Sequence, residues 1–278
     1  MAIIKHQKFE ENKKKIILEG MDKLHVLSDF DRTLTKAFVN GKKFPSMISI
    51  LRDNDYLGED YSKKAKELAG YYGKIERNNS ISPETRKKAM YEWWTRHFDL
   101  LIEKKLNKKH LERLVDEGCM ELREGVPEFF GFLHDKNIPL VILSSSGIGE
   151  TIPMYLKKEN LLYENIHVIS NSYEWDSKGN AIGIKKPIIH TMNKEEASIK
   201  NLPIYDELLK RKNILLLGDS INDSSMIKGF NYENLITIGF LNEEIDKNLS
   251  RYKNSFDAVI TEDGSFEFVN NFLRDFNG

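Results

Sequence analysis

Between Leu24 and Thr35 the chain reads Leu-His-Val-Leu-Ser-Asp-Phe-Asp-Arg-Thr-Leu-Thr, an apolar run that stops at Ser28 and gives way to Asp29 and Asp31. A short aliphatic run ending in polar residues is the pattern of a buried strand. Asp29 then falls at the strand's carboxyl end, where open α/β sheets collect their ligands. Two carboxylates this close repel unless a cation or a shared proton relieves them. Hard oxygen ligands of this kind suit Mg²⁺. Asp-x-Asp is also common in turns, so the pair needs company before it carries a chemistry.

That company comes from two later runs that end the same way. Ile138 to Leu143 reads as a strand followed by Ser144-Ser145-Ser146-Gly147-Ile148-Gly149. Asn213 to Leu217 reads as another, followed by Gly218-Asp219-Ser220-Ile221-Asn222-Asp223. His167 to Ile169, Leu235 to Ile238 and Ala258 to Ile260 read as further strands, with helices at 5–18, 125–134, 152–159, 194–200 and 204–212. Asp-Ser-Lys-Gly-Asn within Tyr173 to Ile184 marks a hairpin tip. Alternating strands and helices predict right-handed βαβ units and a doubly wound parallel sheet. From Ser46 to Gly118 the β signal vanishes. Helical spacing covers Tyr61 to Tyr71, Pro83 to Lys105 and Asn107 to Glu117, with Ser82-Pro83-Glu84 as a helix start. The expected fold is therefore α/β, a Rossmann-like core of residues 1–45 and 119–278 with an inserted helical cap at 46–118.

In a parallel sheet the loops after the three strands emerge on one edge. Asp29 and Asp31, then Asp219 and Asp223, would converge on one cation. The serine-rich segment 144–149 would form an anion-binding nest at a helix N-terminus. An acidic metal site beside an anion site is the chemistry of a phosphate bridged by Mg²⁺. Strand-end residues alternate in direction, so only one of Ser144 and Ser145 turns its hydroxyl to that site.

Composition narrows the ligand. A formal net charge of −1 gives no basic field for a nucleic acid polymer. The lysine runs at 13–15, 104–105 and 108–109 read as solvated helix faces. One cysteine, Cys119, forms no internal disulfide and fits a reducing compartment. No stretch is long enough to span a membrane, and residues 1–20 read as neither signal nor transit peptide. The expectation is a cytoplasmic monomer acting on a small molecule.

Asp29-Phe30-Asp31-Arg32-Thr33 resembles the first motif of the haloacid dehalogenase-like phosphatases, Ser145 their second and Gly218-Asp219-Ser220-x-Asn222-Asp223 their fourth. Across nearly the whole chain the sequence is similar to the cytosolic 5′-nucleotidase III (pyrimidine 5′-nucleotidase) family. The matching stretches include Gly41-Lys42-Lys43 with Pro45, Tyr71-Tyr72 with Ile75-Glu76, and Glu92-Trp93-Trp94-Thr95. Further ones are Ser145-x-Gly147-Ile148-Gly149, Ile189-His190 with Asn193-Lys194, and Ile238-Gly239-x-Leu241-Asn242.

The resemblance implies Asp29 as nucleophile and Asp31 as general acid and base. It implies Mg²⁺ held by the Asp29 and Asp219 carboxylates and the Asp31 carbonyl, with Asp223 in support. Ser145 and Ser146 N–H would hold phosphoryl oxygens, in the register that favours Ser145 over Ser144. Lys194 is the matching lysine, whereas Lys185 and Lys186 precede Pro187 and read as exposed loop. In the cap, the resemblance makes Glu76 the base-recognising acid; by itself Glu76 reads as an exposed loop acid. Trp94 falls on the base-stacking aromatic, a tryptophan in forms that favour 7-methylguanosine monophosphate and a tyrosine in pyrimidine-directed ones. Adjacent Trp93 and Trp94 should not both face one core, so one of them packs. His97 stands where the family carries a substrate-contacting serine, and Tyr56 is a second candidate for stacking.

The implied activity is an Mg²⁺-dependent 5′-nucleotidase for CMP, UMP or 7-methyl-GMP, with phosphoryl transfer to a nucleoside as an accompanying reaction. Two alternatives stand beside it. A phospho-aspartate signalling module also clusters aspartates, a hydroxyl and a lysine around Mg²⁺, but needs no acid two residues after the nucleophile and no large insertion. Another phosphatase of the superfamily would take a sugar phosphate or phosphoserine, indifferent to Glu76.

Overall fold

The computed structural model describes residues 2–54, 56–78, 80–118, 120–194, 199–200, 203–228 and 230–277. The chain opens with strand β1 (Ile3–Lys5), helix α1 (Gln7–Glu19), strand β2 (Leu24–Ser28) and the small hairpin of β3 (Phe38–Val39) and β4 (Lys42–Lys43). Helices α2 (Met47–Asp53), α3 (Glu59–Arg77), α4 (Pro83–Glu103) and α5 (Lys108–Glu117) follow with no strand between them. Then come α6 (Val126–Asp135), β5 (Leu140–Ile148), α7 (Thr151–Lys158), β6 (Ile166–Asn171) and a second hairpin, β7 (Tyr173–Trp175) with β8 (Ala181–Ile184). The chain closes with α8 (Tyr205–Lys210), β9 (Asn213–Gly218), β10 (Asn234–Leu241), α9 (Ile245–Ser255), β11 (Ala258–Thr261) and α10 (Glu267–Arg274).

Seven strands form one sheet in the order β1-β11-β10-β9-β2-β5-β6, parallel except for the antiparallel edge strand β1. Successive side chains of a strand face opposite ways, and the core divides accordingly. Val26, Leu215 and Leu217 join one hydrophobic cluster, which extends to Tyr61, Trp94 and Phe98 of the inserted helices. Leu27, Ile214 and Leu216 join the cluster on the other face. Ser28 pairs with Ile142 of β5 and Leu217 of β9, so the segments that leave these three strands start side by side on one edge.

Local chemistry sets the helix ends. Ser82 accepts from the Thr85 N–H at 3.2 Å, with Pro83 in the first turn of α4. Asn107 caps α5 while His110 Nδ1 accepts from the Asn107 N–H at 3.0 Å. Among the described residues no helix is long and apolar enough to cross a membrane.

Several elements depart from the expectations. β5 does not end at Leu143 but runs on to Ile148 through a register shift against β6. The serine-rich segment is therefore bulged strand that leads directly into α7, whose first residue is Thr151. α3 is longer than the apolar spacing suggests because both ends are charged turns. α9 has no fully buried residue, and only Ile245, Leu249 and Tyr252 pack its one face on the core, so its apolar signal is thin. The helix expected at 194–200 falls largely on residues outside those described, and Lys194 itself is in irregular backbone. Cys119 also lies outside the described residues.

Arg123, 1% exposed, fastens the β2–β3 loop to the end of the chain. Its Nε donates to the Thr33 carbonyl at 3.0 Å and Nη1 to the Gly264 carbonyl at 2.9 Å, with Asp263 Oδ1 2.8 Å away. Removing one member of a buried ion pair strands the other. Arg123→Met is expected to cost about 3–5 kcal/mol, measured by urea unfolding. A loss below about 1 kcal/mol would place it among ordinary surface substitutions.

Candidate active site

The Asp29–Asp31 pair is built by strand alternation carried one step past β2. The Asp29 N–H donates to the Leu217 carbonyl at 3.0 Å, keeping residue 29 in register with β9. Phe30 between the acids is fully buried, and both flanking carboxylates reach a common cavity. The N–H groups of Leu34 and Thr35 then close on the Phe30 carbonyl at 3.0 and 3.2 Å. Arg32 sits in the left-handed region at φ 62°, a conformation that a non-glycine residue holds only when its surroundings insist. The surroundings are Thr35 Oγ1, which accepts the Arg32 N–H at 2.8 Å, and the side chains of Arg123 and Asn242, which both donate to its carbonyl.

Asp29, Asp219 and Asp223 offer carboxylate oxygens that all lie within 4.8 Å of one another. Lys194, 3% exposed, donates to Asp29 Oδ1 and, at 3.0 Å, to Asp223 Oδ1. The other Asp223 oxygen accepts the Ser220 N–H at 2.9 Å. Gly218 makes room for this, since a Cβ there would stand 2.5 Å from the Cβ of Asp223. Burial pushes the Asp29 carboxyl up, Lys194 opposes the shift and Asp223 adds to it, leaving Asp29 raised to about 7. Burial, then the neighbouring Asp29 and Asp223, hold Asp219 well above the carboxylate range. Burial alone would lower Lys194, but Asp223 and Asp29 overcome it and keep the ammonium charged. Asp31 is also raised by burial; Ser146 Oγ donates to its Oδ2 and the Met47 N–H of α2 supports it from the inserted helices.

Ser145 lines the cavity at 7% exposure, whereas Ser144 is fully buried with its Oγ accepting the Gly147 N–H at 3.0 Å. Asn171 of β6 anchors this segment, donating to the Ser145 carbonyl at 3.0 Å.

The inserted helices supply the opposite wall. Glu76 is half-buried in the last turn of α3, not in a loop, and its Oε1 accepts from Thr191 Oγ1 at 2.8 Å. Trp94 lies nearly parallel to Trp93 and to His97, with centroids 5.9 and 6.2 Å away and planes within 19° and 11°. Trp93 and Trp94 both line the cavity, contrary to the expectation that one only packs. Neighbours on a helix point about 100° apart, and two indoles span that angle around a broad cleft. His97 is buried against the Tyr61 hydroxyl at 3.0 Å, and burial lowers it to about 3, so the ring is neutral. Tyr56 is not at the site. It lines a separate hollow near Pro45 and Asn54, beneath the Arg113 guanidinium at 4.9 Å.

One cavity of about 280 Å³ is thus bordered by Asp29, Asp31, Glu76, Trp94, His97, Ser145, Ser146, Lys194, Asp219 and Asp223. Arg32, Ser46, Ser49, Arg52, Thr191 and Ser220 also border it, and sequence reasoning missed them. Ser46 and Ser49 had a local signal as the start of α2. Arg32 and Ser220 lie inside the quoted motifs beside Asp31 and Asp219, whereas Thr191 had no such signal, because only the fold brings it to the cleft.

A family model described as pyrimidine 5′-nucleotidase (UMPH-1) matches residues 32–277. The 7-methylguanosine phosphate-specific 5′-nucleotidase of Gallus gallus is 35% identical over 257 residues, spanning 92% of this chain and 89% of that protein. The Homo sapiens protein of the same name is 35% identical over 256 residues, spanning 92% and 85%. A crystal structure of cytosolic 5′-nucleotidase IIIB bound to cytidine superposes with a TM-score of 0.84 at 26% identity, over 99% of this chain and 93% of that one. A phospho-aspartyl intermediate analogue of phosphoserine phosphatase shares the fold, with a TM-score of 0.54 at 18% identity, over 90% and 97%.

The donor set itself fits a divalent cation: clustered oxygen ligands, with more carboxylates than Lys194 can balance. Asp29 binds its proton up to about pH 7 in the fold and only to about 3.8 when unfolded. Its contribution to stability is therefore full below the lower value and is lost as pH rises through the upper one. A bound cation displaces that proton and reverses the loss. Mg²⁺ at a hundredfold excess over its Kd at pH 7.5 is expected to stabilise the protein by about 2.7 kcal/mol, and the same concentration is expected to raise Tm less at pH 5.5, where protons weaken binding. Equal rises at both pH values, or an undiminished rise in Asp219→Asn, would contradict the cluster as the binding site.

Proposed function

The chain belongs to the pyrimidine 5′-nucleotidase family, and from that premise we propose that it is an Mg²⁺-dependent 5′-nucleotidase. Its substrates are nucleoside 5′-monophosphates: CMP, UMP and 7-methyl-GMP. The observation that carries the reading is a single cleft bordered both by buried acids with Lys194 and by Glu76 and Trp94. Phosphate-handling groups and aromatic, hydrogen-bonding groups in one cleft suit the two halves of a nucleotide.

In the proposed reaction Asp29 attacks phosphorus in line, the bond to the 5′-oxygen breaks, and the phosphoryl group passes to the Asp29 carboxylate. Asp31, whose carboxyl burial raises above its ordinary range, protonates the departing 5′-oxygen and releases the nucleoside. The Asp31 carboxylate then takes a proton from water, whose oxygen attacks the aspartyl-phosphate and frees inorganic phosphate. A nucleoside hydroxyl in place of that water gives phosphotransfer. Lys194 fixes Asp29 through Oδ1, and Oδ2, which Thr33 Oγ1 meets at 3.5 Å, is the oxygen that attacks. Ser145 and the Ser146 N–H hold phosphoryl oxygens, while the Ser146 hydroxyl orients Asp31. Mg²⁺ when bound screens the charge between phosphate and nucleophile; the Asp29 and Asp219 carboxylates and the Asp31 carbonyl would hold it, with Asp223 behind them.

Residues 46–118 act as the cap that selects the base, over a core of residues 1–45 and 119–278. Glu76 accepts from N–H groups of the base. Trp94 offers the larger π-face that suits a cationic methylated purine. The chain works in the cytoplasm.

A steady-state survey of CMP, UMP, GMP, 7-methyl-GMP and a sugar phosphate tests this reading. Nucleotides are expected to dominate, and equal turnover of the sugar phosphate would overturn it. Asp29→Asn is expected to lower kcat by more than about 10³-fold with the fold retained; surviving hydrolysis would mean another nucleophile. Trp94→Tyr is expected to shift preference from 7-methyl-GMP toward CMP, and an unchanged ratio would remove Trp94 from the base site.

A further inference from the structure

The segment that follows β8 carries two contacts of different kinds within four residues. Lys194 reaches Asp29 at the phosphate end, and Thr191 reaches Glu76 at the base end. Internal bonds hold the segment stiff. The Asn193 side chain accepts the His190 N–H at 2.6 Å and donates to the Ile188 carbonyl at 2.8 Å. The Asn171 amide brackets Ile189, accepting from its N–H and donating to its carbonyl, both at 2.8 Å, and the same amide holds Ser145. Thr191 is thus presented from a rigid platform on the sheet side of the cleft.

Glu76 stands at the opposite wall, one residue from the end of α3, where helices fray. Its carbonyl accepts from Arg86 Nη1 at 3.2 Å, which fixes the backbone but not the carboxylate. A glutamate side chain at a helix end has several rotamers open to it, and a base-reading acceptor must occupy one. Thr191 Oγ1, donating at 2.8 Å, selects it. Oε1 is taken by that bond, and Oε2 is left for the N–H groups of a base.

We propose that Thr191 is a positioning residue for nucleobase recognition, orienting Glu76 through its hydroxyl from the loop that also carries Lys194. The proposal rests on the reading of Glu76 given above. Thr191 need not touch the substrate. It makes acceptance of the base depend on the cap helix end lying against the same loop that holds the nucleophile's lysine.

The test uses the full chain with Mg²⁺, the variants Thr191→Val, Thr191→Ser and Glu76→Gln, and three substrates: CMP, 7-methyl-GMP and para-nitrophenyl phosphate, which has no base. Thr191→Val is expected to lower kcat/KM for both nucleotides about tenfold, mainly through KM, as the loss of one net hydrogen bond implies. The rate on para-nitrophenyl phosphate should fall far less, and Thr191→Ser should restore nucleotide turnover. A parallel fall on all three substrates, or loss in Thr191→Ser as deep as in Thr191→Val, would assign Thr191 a merely structural role. Unchanged nucleotide kinetics in Thr191→Val would also overturn the proposal. Glu76→Gln separates the two readings. If it abolishes the preference for nucleotides while Thr191→Val does not, only the Thr191 proposal fails; if it leaves that preference intact, base recognition by Glu76 fails as well.

Discussion

Like charges brought together in a buried place set the terms for the rest of this molecule. Asp29, Asp219 and Asp223 approach within 4.8 Å across two loops, and Lys194 can neutralise only part of what they carry. Burying unpaired carboxylates is expensive, so the scaffold that holds them has to be stiff. Parallel β2 and β9 supply that stiffness by delivering both loops from adjacent strands in matched register. Gly218 lets Asp223 fold back over the strand end, and Arg123 ties the left-handed turn at Arg32 to the final loop. Each device keeps apart from solvent a charge pattern that would otherwise spread.

The same cleft is closed by chain from a different part of the sequence. Met47 at the start of α2 supports Asp31, and Glu76 at the end of α3 meets Thr191. The start of α2 and the end of α3 therefore touch groups beside the acid cluster. Trp93, Trp94 and His97 form a stacked face on α4, and burial keeps the His97 ring neutral, so that wall offers π-surface without adding positive charge. Positive charge is left to Lys194, Arg32 and Arg52 among the described cavity residues.

Much of this was legible because it obeys short-range rules. The alternation of Asp29, Phe30 and Asp31 follows from strand geometry, and the buried runs of β2, β5 and β9 announce themselves by composition. Asp29 and Asp219, just past β2 and β9, and Ser145, in the last part of β5, share one edge because the sheet is parallel there. Other features depend on distant contacts that no local pattern encodes. Lys194 was singled out through family resemblance, not by its setting of ordinary loop residues. Arg123 looks like any surface arginine until the fold wraps it in the carbonyls of Thr33 and Gly264. The extension of β5 through three serines contradicts their preference for turns; pairing with Asn171 of β6 decides it. Tyr56, between α2 and α3, turns away from the cleft because nothing local fixes which side an aromatic of a short connection takes.

The central claim is that residues 29 and 219 share one cation. Anomalous diffraction from crystals soaked in Mn²⁺, standing in for Mg²⁺, measures this directly. The account predicts a single strong peak about 2.1–2.2 Å from one carboxylate oxygen of each residue, with Lys194 remaining on Asp29. A peak bound by neither residue, or no peak in the cluster at saturating metal, would contradict it.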